Sequence, residues 1–330
     1  MLVWALCFWT LAGCDSYLDV NPKGTLEQEK QFEDVQGYRD AMYGIYATMA
    51  KTSLYGEALS WGFVDWLAQL SYDKYMQSEK LVNVKAANQY KYDDPNLEGL
   101  IGSIWGEAYQ CISYANNVLE NIETVNLAED PDYALIKGEA YGVRAMLHFD
   151  MMRLYGYGNL AGRTDKSTKP TVPYVTDYDK EMTPQLSYDQ TIELIVKDLT
   201  DALGLLDDEP ITGKHPADYY DALNDDGFFS DRTFRLNYFA VKALLARVYM
   251  WEGSDASIAL ARQEASDVIR EGERLGLYQW VTTDLVSTDP IHSTEHITSL
   301  NIPAFTDRLT DYYLYNFLEG TAYEAIKLSE

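Results

Sequence analysis

The sequence predicts an all-α protein, and three observations carry that prediction. Apolar residues recur at the three- and four-residue spacing of amphipathic helices over most of the 330 residues. A helix-start signal, Asp130-Pro131, precedes one of these periodic segments, and strand-like runs are few and short. Apolar residues make up 47 % of the chain, so a large core can form without disulfides or metal.

Six long helices are expected, each from its own apolar stripe. Their ranges are 33–50, 97–123, 130–156, 187–206, 237–252 and 255–272. The third begins at Asp130-Pro131, where aspartate caps the first turn and proline needs no amide donor. Only Gly253-Ser254 separates the last two, so they are expected to form a tight pair.

Small residues recur where these helices would touch. Ala140 and Ala145 lie in the third helix, and Ala240, Ala243 and Ala246 lie in the fifth. The pattern is typical of tetratricopeptide-like helix pairs, although no clean 34-residue period is visible. We therefore expect a degenerate repeat that fills one helical domain over 33–330.

Two long segments break the helices. Residues 157–186 contain three prolines and have no clear period, whereas residues 52–96 are rich in aromatic side chains. Long irregular segments in compact helical domains are commonly functional. The segment 52–96, here called the aromatic insert, is therefore the candidate binding region.

Six aromatic residues of the aromatic insert are the candidate ligand contacts: Trp61, Trp66, Tyr72, Tyr75, Tyr90 and Tyr92. The negative faces of such rings suit the C–H groups of a sugar ring. The two tryptophans are the first candidates, with polar neighbours such as Asp65 and Gln69 to bind hydroxyls. The alternative is that one or both tryptophans pin the insert to the helices and are buried.

The opening residues resemble a lipoprotein signal. Leu2–Ala12 is apolar, but at about 1.5 Å per residue it is too short for a hydrocarbon core about 30 Å thick. Leu11-Ala12-Gly13-Cys14 resembles a bacterial lipobox, in which the signal is cut before a cysteine that then carries acyl chains. We expect residues 1–13 to be the signal and residues 14–32 to be a tether and N-terminal segment.

The N-terminal segment lacks one usual part of a secretory signal, and it has one alternative interpretation. No lysine or arginine precedes Lys23, so the true start is expected upstream. The alternative is a buried N-terminal helix with an incidental cysteine, which the abrupt change to Asp15 disfavours.

With Cys7 in the signal and Cys14 acylated, only Cys111 remains, so no intramolecular disulfide is expected. Cys111 lies on an apolar helical face and is expected to be a buried, inert thiol.

The charge and the motifs narrow the function classes. A formal net charge of −26 is far too acidic for a protein that binds nucleic-acid phosphates. Neither a Gly-x-Ser-x-Gly elbow nor a phosphate-binding glycine loop is present. His292 and His296 fit the H-x-x-E-H pattern of zinc peptidases, but their context favours a strand or loop over the required helix. We expect no metal, no cofactor and no catalytic residue.

Five segments, in order, carry a family resemblance. They begin "CDSYLDVNPKGTLEQEKQFEDVQGYRDAMYGIYATM", "IWGEAYQCISYANNVLENIE", "GEAYGVRAMLHFDMMRLYG", "LSYDQTIELIVKDLTDALGLL" and "RLNYFAVKALLARVYMWEG". The chain resembles the SusD/RagB family of nutrient-binding outer-membrane lipoproteins of Bacteroidetes. The resemblance implies tetratricopeptide-like helix pairs with irregular inserts on one side. It also implies glycan or nutrient capture at the cell surface and delivery to a TonB-dependent SusC-like transporter.

The resemblance also implies further chain after residue 330, because the family continues with another helix pair and loops. We therefore expect a C-terminal truncation. Two other functions stay open at this point: a structural helical-repeat scaffold, whose aromatics would be buried, and a lipid-anchored glycoside hydrolase. The hydrolase would need two carboxyl groups at a defined separation, which a sequence does not reveal.

Overall fold

The computed structural model describes residues 30–72, 82–221, 223–224, 227–289 and 291–307, and the backbone of 327–328. Helices dominate these ranges, so the expected all-α architecture is confirmed. The helices are α1 (Val35–Met49), α2 (Phe63–Leu67), α3 (Val82–Asn88), α4 (Pro95–Ile122), α5 (Pro131–Tyr155), α6 (Tyr188–Leu206), α7 (Ala217–Asp221), α8 (Tyr238–Glu252) and α9 (Asp255–Leu275). No helix in these ranges is both long and apolar enough to cross a bilayer.

Side-chain caps set the starts of the long helices. Asp130 accepts a hydrogen bond from the amide of Asp132, as its position before proline predicts. Ser187 and Gln190 form a reciprocal capping box at the start of α6. Between α8 and α9, Gly253 adopts a left-handed conformation with φ of 79°, which glycine reaches without steric cost. The tight pair expected around this glycine is therefore confirmed.

Helix α5 lies at the centre of the packing. It packs against α4 on one side and α6 on the other, while α6 also contacts α8, and α8 pairs with α9. Its buried residues surround the helix axis instead of forming one stripe, because neighbours cover several faces. One continuous apolar core runs through α1, α4, α5, α6 and α8.

The two irregular segments contain short elements. Within 157–186, strand β2 (Pro170–Pro173) pairs antiparallel with β3 (Gln185–Ser187), just before α6. The aromatic insert holds α2 and α3, and β1 (Ser71–Tyr72) pairs antiparallel with β4 (Lys327–Leu328). Ser293–Glu295 is a single 3-10 turn, so the H-x-x-E-H segment lies in a loop, as its context predicted.

Cys111 lies inside the core, as its helical face predicted. It is fully buried on α4, and its thiol donates to the carbonyl of Ile45 at 3.7 Å. Burial raises the pKa of the thiol to about 12, so it stays protonated and unreactive at physiological pH.

Candidate functional site

Three of the predicted site residues receive no side-chain description. Cys14 and Tyr75 lie outside the described residues. Tyr72 lies in β1 with Lys327 as its backbone partner. The predicted lipid attachment at Cys14 and ligand contacts at these tyrosines stay predictions.

Trp66 does not present its ring to solvent, which corrects the leading expectation for it. Its side chain is only 4 % exposed. Phe63 and Trp66 are three residues apart in α2, so they share the helix face that packs on the core. The alternative raised from the sequence, that a tryptophan anchors the insert, therefore describes Trp66. Trp61 is partly buried.

Tyr90 and Tyr92 form the exposed aromatic surface of the described insert. Their side chains are 50 % and 52 % exposed. Their ring centroids are 6.4 Å apart and the ring planes are tilted by 48°, so the two rings are neighbours but are not stacked face to face. We call this pair the tyrosine ledge. Each ring keeps surface available for stacking on a flat ligand.

Hydrogen bonds to the end of α2 hold the tyrosine ledge in place. The hydroxyl of Tyr90 donates to the backbone carbonyl of Leu67 at 3.1 Å, and the side-chain Nε2 of Gln69 donates to the backbone carbonyl of Asn88 at 3.2 Å. Tyr90 and Gln69 both have left-handed backbones, with φ of 54° and 57°. These bonds join the ends of α2 and α3, and the bond from its hydroxyl holds the ring of Tyr90 in place.

Apart from the tyrosine ledge, a cleft lies between α1 and two distant loops. This cleft has a volume of about 530 Å³, and its lining includes Tyr43, Lys51, Phe234 and Asn301. Tyr43 is 49 % exposed and Phe234 is 50 % exposed. Sequence reasoning missed this cleft. One feature of the sequence could have indicated it. Tyr43 does not belong to the apolar stripe of its helix, so its aromatic ring could have been expected on the solvent-exposed face.

Buried charges fix the wall of this cleft. Arg232 pairs with both Glu139 and Glu209, and all three side chains are buried. The hydroxyl of Tyr46 donates to Glu139 at 2.7 Å and accepts from the amide of Leu236 at 3.0 Å. Burial alone would raise the pKa of Glu139, but the nearby arginines outweigh it and lower that pKa. Glu139 therefore stays ionised, and the network locks α1, α5 and the loop before α8 together.

Aromatic and cationic groups complete the cleft. The guanidinium of Arg235 stacks 3.9 Å from the ring centre of Phe228, and Tyr43 meets the same ring edge-on at 6.1 Å. Arg235 is itself held near Glu139, with a 3.6 Å separation between their nearest polar atoms. Among the described residues, no three histidine, cysteine or acidic side chains are grouped to hold a metal ion. The surfaces offered are aromatic, with polar groups beside them.

The fold and these surfaces define a helix-pair protein that presents aromatic side chains on its irregular segments. The sequence matches the SusD-like family, described as starch-binding proteins associating with the outer membrane, over residues 16–219. That match covers more than half of the chain, so this protein belongs to the SusD-like family.

Relatives agree with this assignment. SusD-like protein P2 of Formosa agariphila is 30 % identical over 149 residues, which are 44 % of this chain and 28 % of the relative. A SusD superfamily protein from Bacteroides vulgatus superposes with a TM-score of 0.59 at 21 % identity, covering 78 % of this chain and 51 % of that one. One from Bacteroides thetaiotaomicron gives 0.57 at 23 % identity, covering 77 % and 49 %. The chain thus matches about half the length of these solved structures and 28 % of the curated relative.

Proposed function

We propose that this chain is a cell-surface glycan-binding lipoprotein that captures oligosaccharide and passes it, chemically unchanged, to a TonB-dependent SusC-like transporter. Starch binding and outer-membrane association in the family description support the ligand class and the location. The transporter partner and the lipid anchor at Cys14 follow from the family resemblance.

The tyrosine ledge is the observation that carries the proposal. Two neighbouring rings are each about half exposed, and the hydroxyl of Tyr90 is bonded to the carbonyl of Leu67 at the end of α2, so the pair offers stacking surfaces for a sugar ring. In this proposal Tyr90 and Tyr92 are the main platforms and the partly buried Trp61 contributes an edge. Tyr72 and Tyr75 are kept as flanking contacts, while Trp66 supports the insert from beneath.

The expected affinity is modest. Each hydroxyl of a neutral sugar exchanges a hydrogen bond to water for one to protein, so the net gain per bond is small. Stacking contributes roughly 1 kcal/mol per ring beyond area burial. One or two platforms therefore support a dissociation constant on the order of 10–1000 µM. Such an affinity allows release of the ligand to a transporter.

Replacement of both ledge tyrosines tests the proposal. The double variant Tyr90→Ala/Tyr92→Ala is expected to lose at least about tenfold in glycan affinity, because two stacking terms of roughly 1 kcal/mol disappear. Both rings are about half exposed, and the one hydrogen bond that is lost, from Tyr90 to Leu67, lies at the surface, so the melting midpoint and helical circular dichroism are expected to change little. Isothermal titration with a glycan selected from an array measures the affinity.

A matched control replaces two other exposed tyrosines. Tyr114 and Tyr178 are each 39 % exposed and lie outside the aromatic insert. The control Tyr114→Ala/Tyr178→Ala is expected to bind as the wild type does. Unchanged glycan affinity in the ledge variant, with the fold intact, would contradict the ledge as the binding site and direct attention to the cleft around Tyr43.

A further inference from the structure

Trp280 is displayed to solvent on a firmly held backbone after α9. Its side chain is 74 % exposed, although tryptophan is usually well covered in folded proteins. The amide of Gln279 donates to the carbonyl of Thr294 at 2.9 Å, and the hydroxyl of Thr294 donates back to the carbonyl of Gln279 at 2.8 Å. On the other side, the amide of Val281 donates to Glu295 Oε1 at 2.8 Å. The indole therefore projects from a backbone clamped on both sides.

A small cavity lies beside this indole. It has a volume of about 100 Å³, and apolar side chains of Val268, Ile269 and Ile297 form part of its lining. Glu273, Glu295 and Trp280 also line it. An apolar cavity of about 150 Å³ holds a benzene ring, so this smaller cavity accepts a group of a few heavy atoms but not a whole sugar ring. We call it the Trp280 dimple.

We propose that Trp280 and its dimple form a second carbohydrate subsite, for a neutral pyranose that carries a small apolar substituent. The sugar ring stacks on the indole, and the methyl of an acetamido group or of a 6-deoxy sugar enters the dimple. This inference rests on the proposed function, because it assumes that the protein binds glycans. It adds a site distinct from the aromatic insert and a preference among sugars.

The charges around the dimple select against anionic sugars. Two carboxylates, Glu273 and Glu295, line the cavity, and the whole chain carries a formal net charge of −26. Uronic acids and sulfated sugars are therefore repelled, both locally and at long range. Neutral hydroxyl groups can instead donate hydrogen bonds to these carboxylates, and such charge-assisted bonds are the stronger kind.

Three methyl glycosides test the subsite by saturation-transfer NMR and titration. The probes are methyl N-acetyl-β-glucosaminide, methyl α-L-fucoside and methyl β-glucoside, which lacks the apolar substituent. Wild-type protein is expected to bind at least one of the first two severalfold more tightly than the glucoside. The methyl protons of the acetamido group or of C6 should receive the strongest saturation. The probe that binds more tightly identifies which substituent the dimple prefers. Equal binding of all three probes overturns the inference.

Three variants separate this subsite from the tyrosine ledge. Trp280→Ala is expected to lose about fivefold in affinity for the preferred probe, because one stacking contact of roughly 1 kcal/mol disappears. Ile269→Phe, which narrows the dimple from a half-exposed position, is expected to abolish the preference. Met250→Ala, a control on α8 at a residue 65 % exposed, should bind as wild type. Unchanged binding by Trp280→Ala overturns the inference.

The ledge variant shows which proposal has failed. If Tyr90→Ala/Tyr92→Ala loses the array-selected glycan while Trp280→Ala binds every ligand as wild type does, the second subsite is wrong and the proposed function stands. If wild-type protein binds no glycan of any kind, both proposals fail. If the ledge variant loses the array-selected glycan but retains the probe preference that Trp280→Ala loses, the two subsites are independent.

Discussion

His148 shows how a single buried residue couples the fold to pH. It is completely buried on α5, and its ring stacks on Tyr174 at 4.0 Å between centroids. Nε2 accepts a hydrogen bond from the amide of Val175 at 3.0 Å, so Nδ1 carries the proton and donates to the carbonyl of Arg144 at 2.9 Å. Both nitrogens are thus satisfied in the neutral form. Burial lowers the pKa of His148 to about 3.

This depressed pKa predicts acid destabilisation through His148. An unfolded histidine has a pKa of about 6.5. Between pH 6.5 and 3, His148 is therefore protonated in the unfolded chain but neutral in the folded chain. The contribution is fully present above pH 6.5 and is lost as the pH falls, by at most about 1.4 kcal/mol per pH unit. His148→Gln is expected to be less stable at pH 7.5 but to show a shallower loss between pH 6 and 4.

Urea unfolding of both proteins at pH 7.5, 6, 5 and 4 measures this difference. The many carboxylates titrate equally in both proteins, so the change in slope isolates His148. Parallel curves for wild type and His148→Gln would show that His148 does not titrate as its surroundings require.

At the scale of elements, the sequence predicts where helices begin but not which distant segments contact one another. The start of α5 at Asp130-Pro131 and the start of α6 at Ser187 follow from capping chemistry within four residues of sequence. The cleft needs Tyr43, Phe234 and Asn301 to meet, and nothing in their local sequence indicates that contact. The burial of Trp66 depends on the direction of a five-residue helix, which a non-periodic segment does not reveal.

Close packing of α5 on α6 depends on the missing side chain of Gly138. A Cβ added at this position would lie 2.8 Å from Cγ of Leu206 and 3.1 Å from Cβ of Leu205. Cβ of Leu205 moves only with the backbone of α6, and the fully buried side chain of Leu206 has little room to rotate away. Overpacking costs about 1–3 kcal/mol, whereas replacing a helical glycine returns at most ~1 kcal/mol. Gly138→Ala is therefore expected to destabilise the protein by about 1–2 kcal/mol.

Gly106→Ala is the matched control for this prediction. Gly106 lies on the exposed side of α4, and an added Cβ would meet nothing within 4 Å. Alanine there is expected to stabilise the protein by roughly 0.4–1 kcal/mol, because the unfolded chain loses freedom. Melting curves of both variants give the comparison. A Gly138→Ala protein as stable as Gly106→Ala would mean that α5 and α6 do not approach this closely.

At the scale of the molecule, buried ion pairs join segments that are far apart in the chain. Glu139 on α5 connects to Tyr46 on α1 and to Arg232, which in turn reaches Glu209. A formal net charge of −26 shows that carboxylates are abundant, but composition does not reveal that some of them, such as Glu139 and Glu209, are buried. Removing one member would leave an uncompensated buried charge, so the network acts as one unit.

The location of the whole molecule in the cell is expected to depend on Cys14. Leu11-Ala12-Gly13-Cys14 predicts acylation of Cys14, and buried acyl carbons contribute ~0.8 kcal/mol each, so one chain anchors marginally and two or more hold firmly. Cys14→Ser removes the attachment atom and is expected to move the protein from the membrane fraction to the soluble fraction. Cys7→Ser, a control within the predicted signal, should leave it on the membrane. Both are expressed without a SusC-like transporter, so protein contacts cannot retain the serine variant. A Cys14→Ser protein that still sediments with membranes would contradict the lipid anchor, whereas its release together with retained glycan affinity would separate attachment from binding.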